Sequence, residues 1–328
     1  MGLYLVTGGA GFIGSSLVRR LLEDGERVRV LDNFSTGREA NLEEVKGQIE
    51  LQRGDLCDPE DVQKAVSGVD YVFHEGAIPS VPRSVERPLE SHAANATGTL
   101  VLLHAASQAK VRRVVYASSS SVYGASEELP KRESVRPEPL SPYAVSKLTG
   151  EQYCMVFHRL YGLETVALRY FNVFGPRQDP SSAYSGVISR FIDSIVSGKP
   201  PTIYGDGEQT RDFTYVDNVA DVNLAACHSP RAGGRVYNVG YGDRISLNDL
   251  WTTMASLVWS EAKPVYEPAR AGDVRHSQAD ISRLAEELDC KPRFSLSQGL
   301  ERSLAFYGAL GSSPAGSAGT PAAPGGHA

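Results

Sequence analysis

The chain has 328 residues, a formal net charge of -6, a hydrophobic fraction of 41% and a charged fraction of 22%. These proportions are typical of a globular protein, and the mild acidity argues against nucleic-acid or membrane-surface binding, which needs a basic face. No apolar run approaches the ~20 residues of a membrane span, and no charged stretch precedes an apolar core as in a signal peptide. We therefore expect a cytoplasmic protein of about two domains, or one α/β domain with a large appendage.

The cysteines and histidines also exclude classes of protein. Cys57, Cys154, Cys227 and Cys290 lie far apart with no CxxC pair, which indicates free thiols in a reducing compartment. The seven histidines form neither HExxH nor HxxxH. The sequence therefore predicts no metal site.

The first half of the chain alternates short β-rich runs with helical patterns. The predicted strands are residues 3–7, 27–31, 49–53, 71–74, 111–117 and 164–169. The predicted helices include residues 12–23, 59–66, 89–108 and 143–160. The strands are almost continuously apolar, which is typical of a parallel sheet covered on both faces. The alternation predicts an α/β fold, a doubly wound parallel sheet of the Rossmann type.

The character of the chain changes after Asn172, where loops rich in Gly, Pro, Ser and Asp separate short helices and strands. This pattern predicts a smaller α/β C-terminal lobe whose loops carry specificity. We assign residues 1–172 to the first domain, rejoined by about 214–240, and residues 173–213 and 241–310 to the second lobe. Residues 311–328 are almost all Gly, Ala, Pro and Ser, so we expect a disordered tail.

A glycine-rich turn follows the first predicted strand and opens the first helix. The stretch is Thr7-Gly8-Gly9-Ala10-Gly11-Phe12-Ile13-Gly14. Glycines there allow a tight turn and a close backbone approach to a pyrophosphate at the helix N-terminus. The alternative is a strand-to-helix turn without a ligand. The GxxGxxG spacing resembles that of the extended short-chain dehydrogenase/reductase family. The predicted cofactor-binding residues of the turn are Gly8, Gly11, Phe12, Ile13 and Gly14.

An acidic residue ends the second predicted strand. Asp32 comes about twenty residues after the glycines, where a carboxylate accepts from the adenosine ribose hydroxyls. The same carboxylate would repel a 2′-phosphate, so NAD is favoured over NADP; the alternative is a turn Asp. The resemblance further implies that Asp55 and Leu56 contact the adenine, although Asp55 is equally well a helix N-cap. Asn33 is a further candidate for cofactor binding.

A serine run and a YxxxK pair form the second constellation. Tyr143 and Lys147 are four residues apart, so they share one face of a helix. An ammonium favours the phenolate and lowers the tyrosine pKa, as would a nicotinamide cation, and this would make Tyr143 usable as a base near neutral pH. A YxxxK pair without accompanying motifs usually lies on a solvent-exposed helix face. Here it follows the glycine turn and the run Ser118–Ser121, so we predict Ser119, Tyr143 and Lys147 as catalytic residues. Ser119 is chosen because it lies five residues before Gly124, where the family has its Ser or Thr.

The resemblance covers residues 1–310 and is closest to NAD-dependent nucleotide-sugar epimerases of the UDP-glucose/UDP-N-acetylglucosamine 4-epimerase type, whose N-acetyl-sugar branch occurs in surface-polysaccharide synthesis. Arg169–Pro176, Gly205–Phe213 and Arg270–Asp273 match segments that bind a nucleotide-sugar diphosphate. The resemblance implies further cofactor contacts from Ala77, Asn95, Tyr143, Lys147 and Tyr170. It implies that the substrate contacts Ser80, Ser120, Ser121, Asn172, Val187, Tyr204, Arg211, Arg270, Asp273 and Ser277. Each arginine alone would more often be a surface ion pair.

The family implies a 4-epimerase that oxidises the sugar at carbon 4 with NAD and returns the hydride to the opposite face. A small residue at Ser277 implies room for UDP-GlcNAc and UDP-GalNAc, alongside UDP-Glc and UDP-Gal. A 4,6-dehydratase, a UDP-glucuronate epimerase or decarboxylase, and a non-catalytic NAD(H) sensor are the alternatives. Ser120 and Ser121 occupy the positions of the dehydratase acid/base pair. The family also implies a homodimer through residues 89–108 and 143–160.

One stretch departs from the family. Where the usual pattern is His-x-Ala-Ala, this chain has His74-Glu75-Gly76-Ala77. Gly76 keeps a small residue close to the cofactor. Glu75 occupies a variable position, and its effect on the cofactor contacts is open.

Overall fold

The computed structural model describes residues 1–179, 186–269 and 274–310. The elements of the first half are β1 (Leu3–Thr7), α1 (Phe12–Glu23), β2 (Arg27–Asp32), β3 (Ile49–Arg53), α2 (Pro59–Val66), β4 (Tyr71–His74), α3 (Val81–Glu86), α4 (Pro88–His92), α5 (Gly98–Gln108), β5 (Arg113–Ser119), α6 (Pro142–Tyr161) and β6 (Glu164–Tyr170). Those of the second half are β7 (Val173–Phe174), α7 (Val187–Ser197), β8 (Thr202–Tyr204), β9 (Thr210–Arg211), β10 (Thr214–Tyr215), α8 (Val216–His228), β11 (Arg235–Val239), β12 (Ile245–Ser246), α9 (Leu247–Leu257), β13 (Val265–Glu267), α10 (Ser282–Leu288) and α11 (Leu296–Phe306).

Seven parallel strands form the central sheet in the order β11-β6-β5-β4-β1-β2-β3. The order reverses at β1, so the chain winds outward in both directions and helices cover both faces. All five residues of β1 are buried, and the side chains on the two faces belong to separate apolar clusters. The predicted doubly wound α/β fold is confirmed. Its geometry brings the carboxyl ends of β1, β2, β4 and β5 to one edge.

Two predicted elements differ from the structure by more than one residue at an end or by a break within them. Strand β5 begins at Arg113 rather than at 111, because Lys110 has a positive φ of 58° and the Val111 amide still bonds Ala106 behind it. The predicted helix 89–108 consists of α4, a wider π-helical turn at Ala93–Thr97, and α5. The wide turn contains Asn95, whose side chain accepts a hydrogen bond from the Ile78 amide.

The second lobe is built from short elements. Its strands are only two or three residues long and form the pairs β10-β7, β12-β9 and β13-β8. Helices α7, α9 and α11 enclose a separate apolar cluster around Phe191, Trp251, Met254 and Leu300. Strand β11 returns to the edge of the central sheet beside β6. The division into domains stays a prediction, and the predicted tail 311–328 lies outside the described residues. No helix in the described ranges is long and apolar enough to cross a membrane.

Candidate active site

A cleft of about 1470 Å³ runs along the carboxyl edge of the central sheet. Most of the sequence-predicted site residues line it: Gly8, Gly11, Phe12, Ile13, Gly14, Asp32, Asn33, Asp55, Leu56, Ala77, Ser80, Ser119, Ser120, Ser121, Tyr143, Tyr170, Asn172, Arg211 and Ser277. Arg270 and Asp273 lie outside the described residues. The two predicted groups, cofactor and substrate, therefore face the same space.

The glycine turn forms the floor at one end of the cleft. The Gly11 amide donates to the Gly8 carbonyl at 3.0 Å, and a Cβ on Gly14 would lie 2.2 Å from that same oxygen. The turn can therefore close this tightly only with glycine at position 14. Helix α1 begins at Phe12 with no side-chain cap and no acidic residue in its first turn. Its first amides thus remain available to an anion at the mouth of the helix.

Asp32 and Asp55 stand at the ends of neighbouring strands. The two oxygens of Asp32 accept from the amides of Ala10, at 2.9 Å, and Phe34, at 2.8 Å. Burial raises the pKa of Asp32, and these two amides oppose the rise. Asp55 accepts from the Asn33 side chain at 2.8 Å, and its pKa is lowered chiefly by the Cys57 amide. Asp32 therefore holds the glycine turn as well as facing the cleft.

Ser119 and Tyr143 come together from different elements. Ser119 ends β5, and Tyr143 lies in the first turn of α6, which Ser141 caps by accepting from the Ala144 amide at 3.2 Å. Ser119 and Tyr143 both line the cleft, and the Ser119 hydroxyl is near enough to the phenol to lower the pKa of Tyr143. The Ser119 hydroxyl also accepts from the Ser121 hydroxyl at 2.9 Å. The predicted pair of a hydroxyl and a phenol is thus assembled on one wall of the cleft.

Helix α6 is held hard against the sheet. A Cβ on Gly150 would lie 2.2 Å from the Tyr116 hydroxyl, so glycine permits this approach. Behind it, Arg169 of β6 makes a buried bidentate ion pair with Glu151, at 2.9 and 2.8 Å. Ser118 donates to the same carboxylate at 2.5 Å. These contacts fix the distance between β5 and α6, and with it the position of Tyr143 relative to Ser119.

Lys147 lies one turn after Tyr143 and is buried. Its Nζ donates to the Ala117 carbonyl at 2.8 Å and stands 5.2 Å from the centre of the Tyr116 ring. Burial lowers the pKa of Lys147. It raises the pKa of Tyr143 to about 12, against the lowering effect of Ser119. Within the protein, desolvation of the phenolate therefore outweighs its neighbours, and the expected lowering by Lys147 together with a nicotinamide cation stays a prediction.

Of two further predicted cofactor contacts, Tyr170 lines the cleft and Asn95 does not. Tyr170 donates to Glu75 Oε1 at 2.7 Å. Asn95 is buried and its amide is engaged by protein groups: it accepts from the Ile78 amide at 2.7 Å and donates to Ser146 Oγ at 3.2 Å. Asn95 therefore supports the loop after β4 from behind. Its role as a direct cofactor contact stays a prediction.

A second cavity of about 240 Å³ opens beside the cleft in the second lobe. Val187 and Tyr204 line it, and Asn172 and Arg211 border both cavities. Asn172 donates to the Asp212 carbonyl at 2.8 Å. Arg211 Nη1 donates to the carbonyls of Thr210 and Arg275, at 2.9 and 3.0 Å. The predicted diphosphate residues thus stand between a large and a small compartment.

Sequence reasoning gave no role to Arg177. Arg177 has a positive φ of 68° and borders the cleft, with Gln178 next to it. Its guanidinium donates to Ser16 Oγ at 3.1 Å and stands 5.8 Å from the Phe306 ring centre. The signal that pointed to it was an arginine directly after Gly175-Pro176, at the edge of the substrate lobe.

Comparison with known proteins decides the family. The profile of the NAD dependent epimerase/dehydratase family matches residues 4–240. The UDP-glucose 4-epimerase of Mycolicibacterium smegmatis is 38% identical over 312 residues, which cover 92% of this chain and 97% of that protein. The chain belongs to this family.

Other family members widen the range of substrates. The UDP-N-acetylglucosamine 4-epimerase of Methanobrevibacter ruminantium, solved with UDP-N-acetylmuramic acid, matches with a TM-score of 0.89 and 40% identity over 93% of this chain and 98% of that one. The UDP-glucuronate 4-epimerase of Thermodesulfobacterium geofontis is 35% identical over 93% of this chain and 95% of its own. The chain is an enzyme of the UDP-sugar epimerase/dehydratase family.

The family's cofactor is NAD, and the residues of the cleft fit it. The uncapped N-terminus of α1 suits a pyrophosphate, and the carboxylate of Asp32 suits ribose hydroxyls. The cleft continues from there to Tyr143 without a break in its lining. A dinucleotide therefore has both its recognition elements and its length of groove.

Proposed function

We propose that the protein is an NAD-dependent UDP-hexose 4-epimerase that interconverts UDP-GlcNAc and UDP-GalNAc, and also accepts UDP-Glc and UDP-Gal. The observation that carries the proposal is the meeting of Ser119 and Tyr143 on one wall of the cleft, with Ser277 also on its lining. A phenol and a hydroxyl on the same wall of a cleft can both reach one sugar oxygen. That arrangement suits reversible proton transfer at a single hydroxyl.

In the proposed reaction Tyr143 takes the proton from the 4-hydroxyl and later returns it to the 4-keto sugar from the same side of the cleft. NAD, when bound, supplies the hydride acceptor and a cationic ring. That cation and the Lys147 ammonium both favour the phenolate, which offsets the burial that raises the pKa of Tyr143. Ser119 holds the 4-oxygen. The sugar must present its opposite face between the two transfers, which requires it to turn about its link to the diphosphate.

From the two cavities we infer where each part of the UDP-sugar binds. Arg211 and Asn172 stand at their junction, and a guanidinium is suited to a diphosphate. The smaller cavity, with Val187 and Tyr204, would then hold the uridine, and the hexose would extend toward Tyr143. Ser80, Ser120, Ser121 and Ser277 would surround the hexose. Arg270 and Asp273 are proposed as further diphosphate and substrate contacts on the resemblance alone.

Ser120 and Ser121 argue against the nearest alternative. A 4,6-dehydratase needs an acid and a base at these positions to eliminate water, and a serine hydroxyl does neither near neutral pH. A glucuronate-specific epimerase acts on a sugar that carries a carboxylate on carbon 5. Several hydroxyls in the cleft suit neutral sugars as well as a carboxylate, so acidic UDP-sugars are the second candidate substrates.

We further propose a homodimer through the helical surface that includes α4 and α6. Leu89 of α4 is 85% exposed and Leu160 of α6 is 76% exposed, with Val145 and Val156 of α6 also at the surface. Apolar side chains exposed together on neighbouring helices are typical of a protein interface. Light scattering of the purified protein after size exclusion measures the mass directly.

The experiment that tests the function uses purified protein without added NAD, incubated separately with UDP-GlcNAc, UDP-Glc and UDP-glucuronate. Proton NMR identifies the products. The proposal predicts the 4-epimers of UDP-GlcNAc and UDP-Glc, with UDP-GlcNAc at least as good a substrate. Epimerisation of UDP-glucuronate alone would reject the substrate assignment, and a 4-keto-6-deoxy product would reject the epimerase.

A further inference from the structure

Glu75, the departure noted in the sequence, follows the last residue of β4 and is part of the cleft wall. Its carboxylate is held in place by a chain of hydrogen bonds. Asn223 Nδ2 donates to the Tyr170 hydroxyl at 2.9 Å, and that hydroxyl donates to Glu75 Oε1 at 2.7 Å. The carboxylate is therefore oriented by two residues from other elements and does not swing freely as a surface glutamate does.

The titratable groups around Glu75 come from three elements. Lys147 and Tyr143 face it from α6, and Tyr170 faces it from β6. On its own strand the neighbour is His74, whose pKa burial lowers to about 3, so it is neutral. The charges that matter beside the Glu75 carboxylate are thus the Lys147 ammonium and, when it forms, the Tyr143 phenolate.

Lys147 needs a counter-charge that its direct contacts do not supply. Its Nζ bonds a neutral carbonyl, Ala117, and stands over the neutral ring of Tyr116. An ammonium taken out of water is costly unless a negative charge balances it. Glu75 comes directly after the strand beside this contact: His74 pairs with Tyr116 across β4 and β5, so Glu75 and Ala117 are the next residues after a paired position. The charge of Glu75 raises the pKa of Lys147 against the effect of burial. Burial raises the pKa of Glu75 itself to about 7, against the lowering effects of Tyr170 and Lys147, so its carboxylate is ionised in the alkaline range.

We propose that Glu75 is a positioning residue of the active site: its carboxylate, fixed by Tyr170, supplies the negative charge that balances the buried Lys147 ammonium. This inference rests on the proposed function for its catalytic meaning, since Lys147 is the cation proposed to favour the phenolate of Tyr143. The charge relation between Glu75 and Lys147 itself does not depend on which sugar is the substrate.

The direction of the pH dependence follows from the charges. An ionised Glu75 keeps Lys147 protonated to higher pH, so removing its charge makes Lys147 lose its proton at lower pH. Glu75→Gln keeps the size and the acceptor oxygen for Tyr170 but removes the charge. We expect the alkaline limb of the kcat profile to move down by on the order of one pH unit in this variant. A purely structural role would leave the limb in place, because the hydrogen bond survives.

A second readout observes Lys147 directly. The full-length holoenzyme is labelled with ¹³Cε-lysine and titrated by NMR, and the Lys147 signal is assigned by its loss in Lys147→Met. The proposal predicts a titration midpoint lower by on the order of one unit in Glu75→Gln. Glu23→Gln, the same change on the exposed end of α1, should leave the midpoint where it is. An unchanged midpoint in a folded Glu75→Gln protein overturns the proposal.

A second variant guards against a folding defect. Tyr170→Phe keeps the carboxylate but removes the hydroxyl that lowers the pKa of Glu75. It should shift the Lys147 midpoint in the same direction by a smaller amount, and no shift in the folded variant counts against the proposal. The titration needs no substrate. Absence of epimerase activity in the wild-type protein would therefore reject the proposed function and leave the Glu75 result to be judged separately.

Discussion

The half of the cleft around Gly8, Asp32 and Ser119 and the half around Asn172, Arg211 and Ser277 are held by different kinds of structure. The first lies at the ends of long buried strands, and its polar groups bond the neighbouring backbone. The second is carried by strands of two or three residues and by the loops between them. A rigid sheet edge suits chemistry that needs fixed distances, whereas loops can change with the substrate.

Because the two halves are supported differently, we expect them to determine different properties of the enzyme. In the proposed mechanism, proton transfer depends on Ser119 and Tyr143, whose elements are held together by the buried pair of Glu151 and Arg169. The proposed choice of sugar depends on residues such as Ser277, which no long element supports. Substitutions in the two halves should therefore produce different kinetic defects.

The largest effect is expected at the junction of the two halves. Tyr143→Phe removes the proposed acid/base group while keeping the ring, and should lower kcat by about 10³-fold or more with NAD still bound. Turnover under saturating UDP-GlcNAc and cofactor content after gel filtration measure both. Tyr153→Phe makes the same chemical change on the same helix and should keep its activity. An active Tyr143→Phe enzyme would refute the assignment.

Substitutions in the substrate half of the cleft should chiefly change the affinity for the UDP-sugar. Arg211→Ala removes the guanidinium proposed to bind the diphosphate in both ground and transition states, so KM should rise about 10- to 100-fold with a much smaller change in kcat. Initial rates over a range of UDP-GlcNAc give the two constants. Arg231→Ala, an exposed arginine outside both cavities, is the control. A fall in kcat at unchanged KM would contradict a binding role.

Substitutions in the cofactor half of the cleft should chiefly change how well the protein retains NAD. Asp32→Asn keeps the size but replaces a charge-assisted acceptor, so NAD should bind about 10-fold more weakly and NADP should be rejected less strongly. The measurement is cofactor per protein after dialysis, followed by titration with each nucleotide. Asp24→Asn, just after α1, serves as the matched control. Equal retention by Asp32→Asn and wild type would remove Asp32 from the cofactor site.

The sequence predicted the sheet well for a physical reason. The strand β1 and the helix α1 have the predicted bounds, because an apolar run ends abruptly at glycines that only a turn accommodates. The placement of Tyr143 and Lys147 on one helix was also predicted, since their i, i+4 spacing determines a shared helix face.

Other features were not readable from the sequence. Spacing puts Lys147 near Tyr143, but only the fold shows that both are desolvated, which raises the pKa of Tyr143 and lowers that of Lys147. The amide of Asn95 faces Ile78 rather than the cleft, a choice that no motif encodes. Tyr204 came from family resemblance alone, because loops of the second lobe have no periodicity to interpret.

In the proposed mechanism, hydride leaves carbon 4 of the sugar and returns to the same carbon. UDP-GlcNAc that carries deuterium at carbon 4, incubated with the protein in ordinary water and followed by NMR, tests this transfer. The expected product is UDP-GalNAc that keeps its deuterium at carbon 4. Loss of the label to solvent, its appearance at carbon 6, or the absence of the 4-epimer would rule the mechanism out.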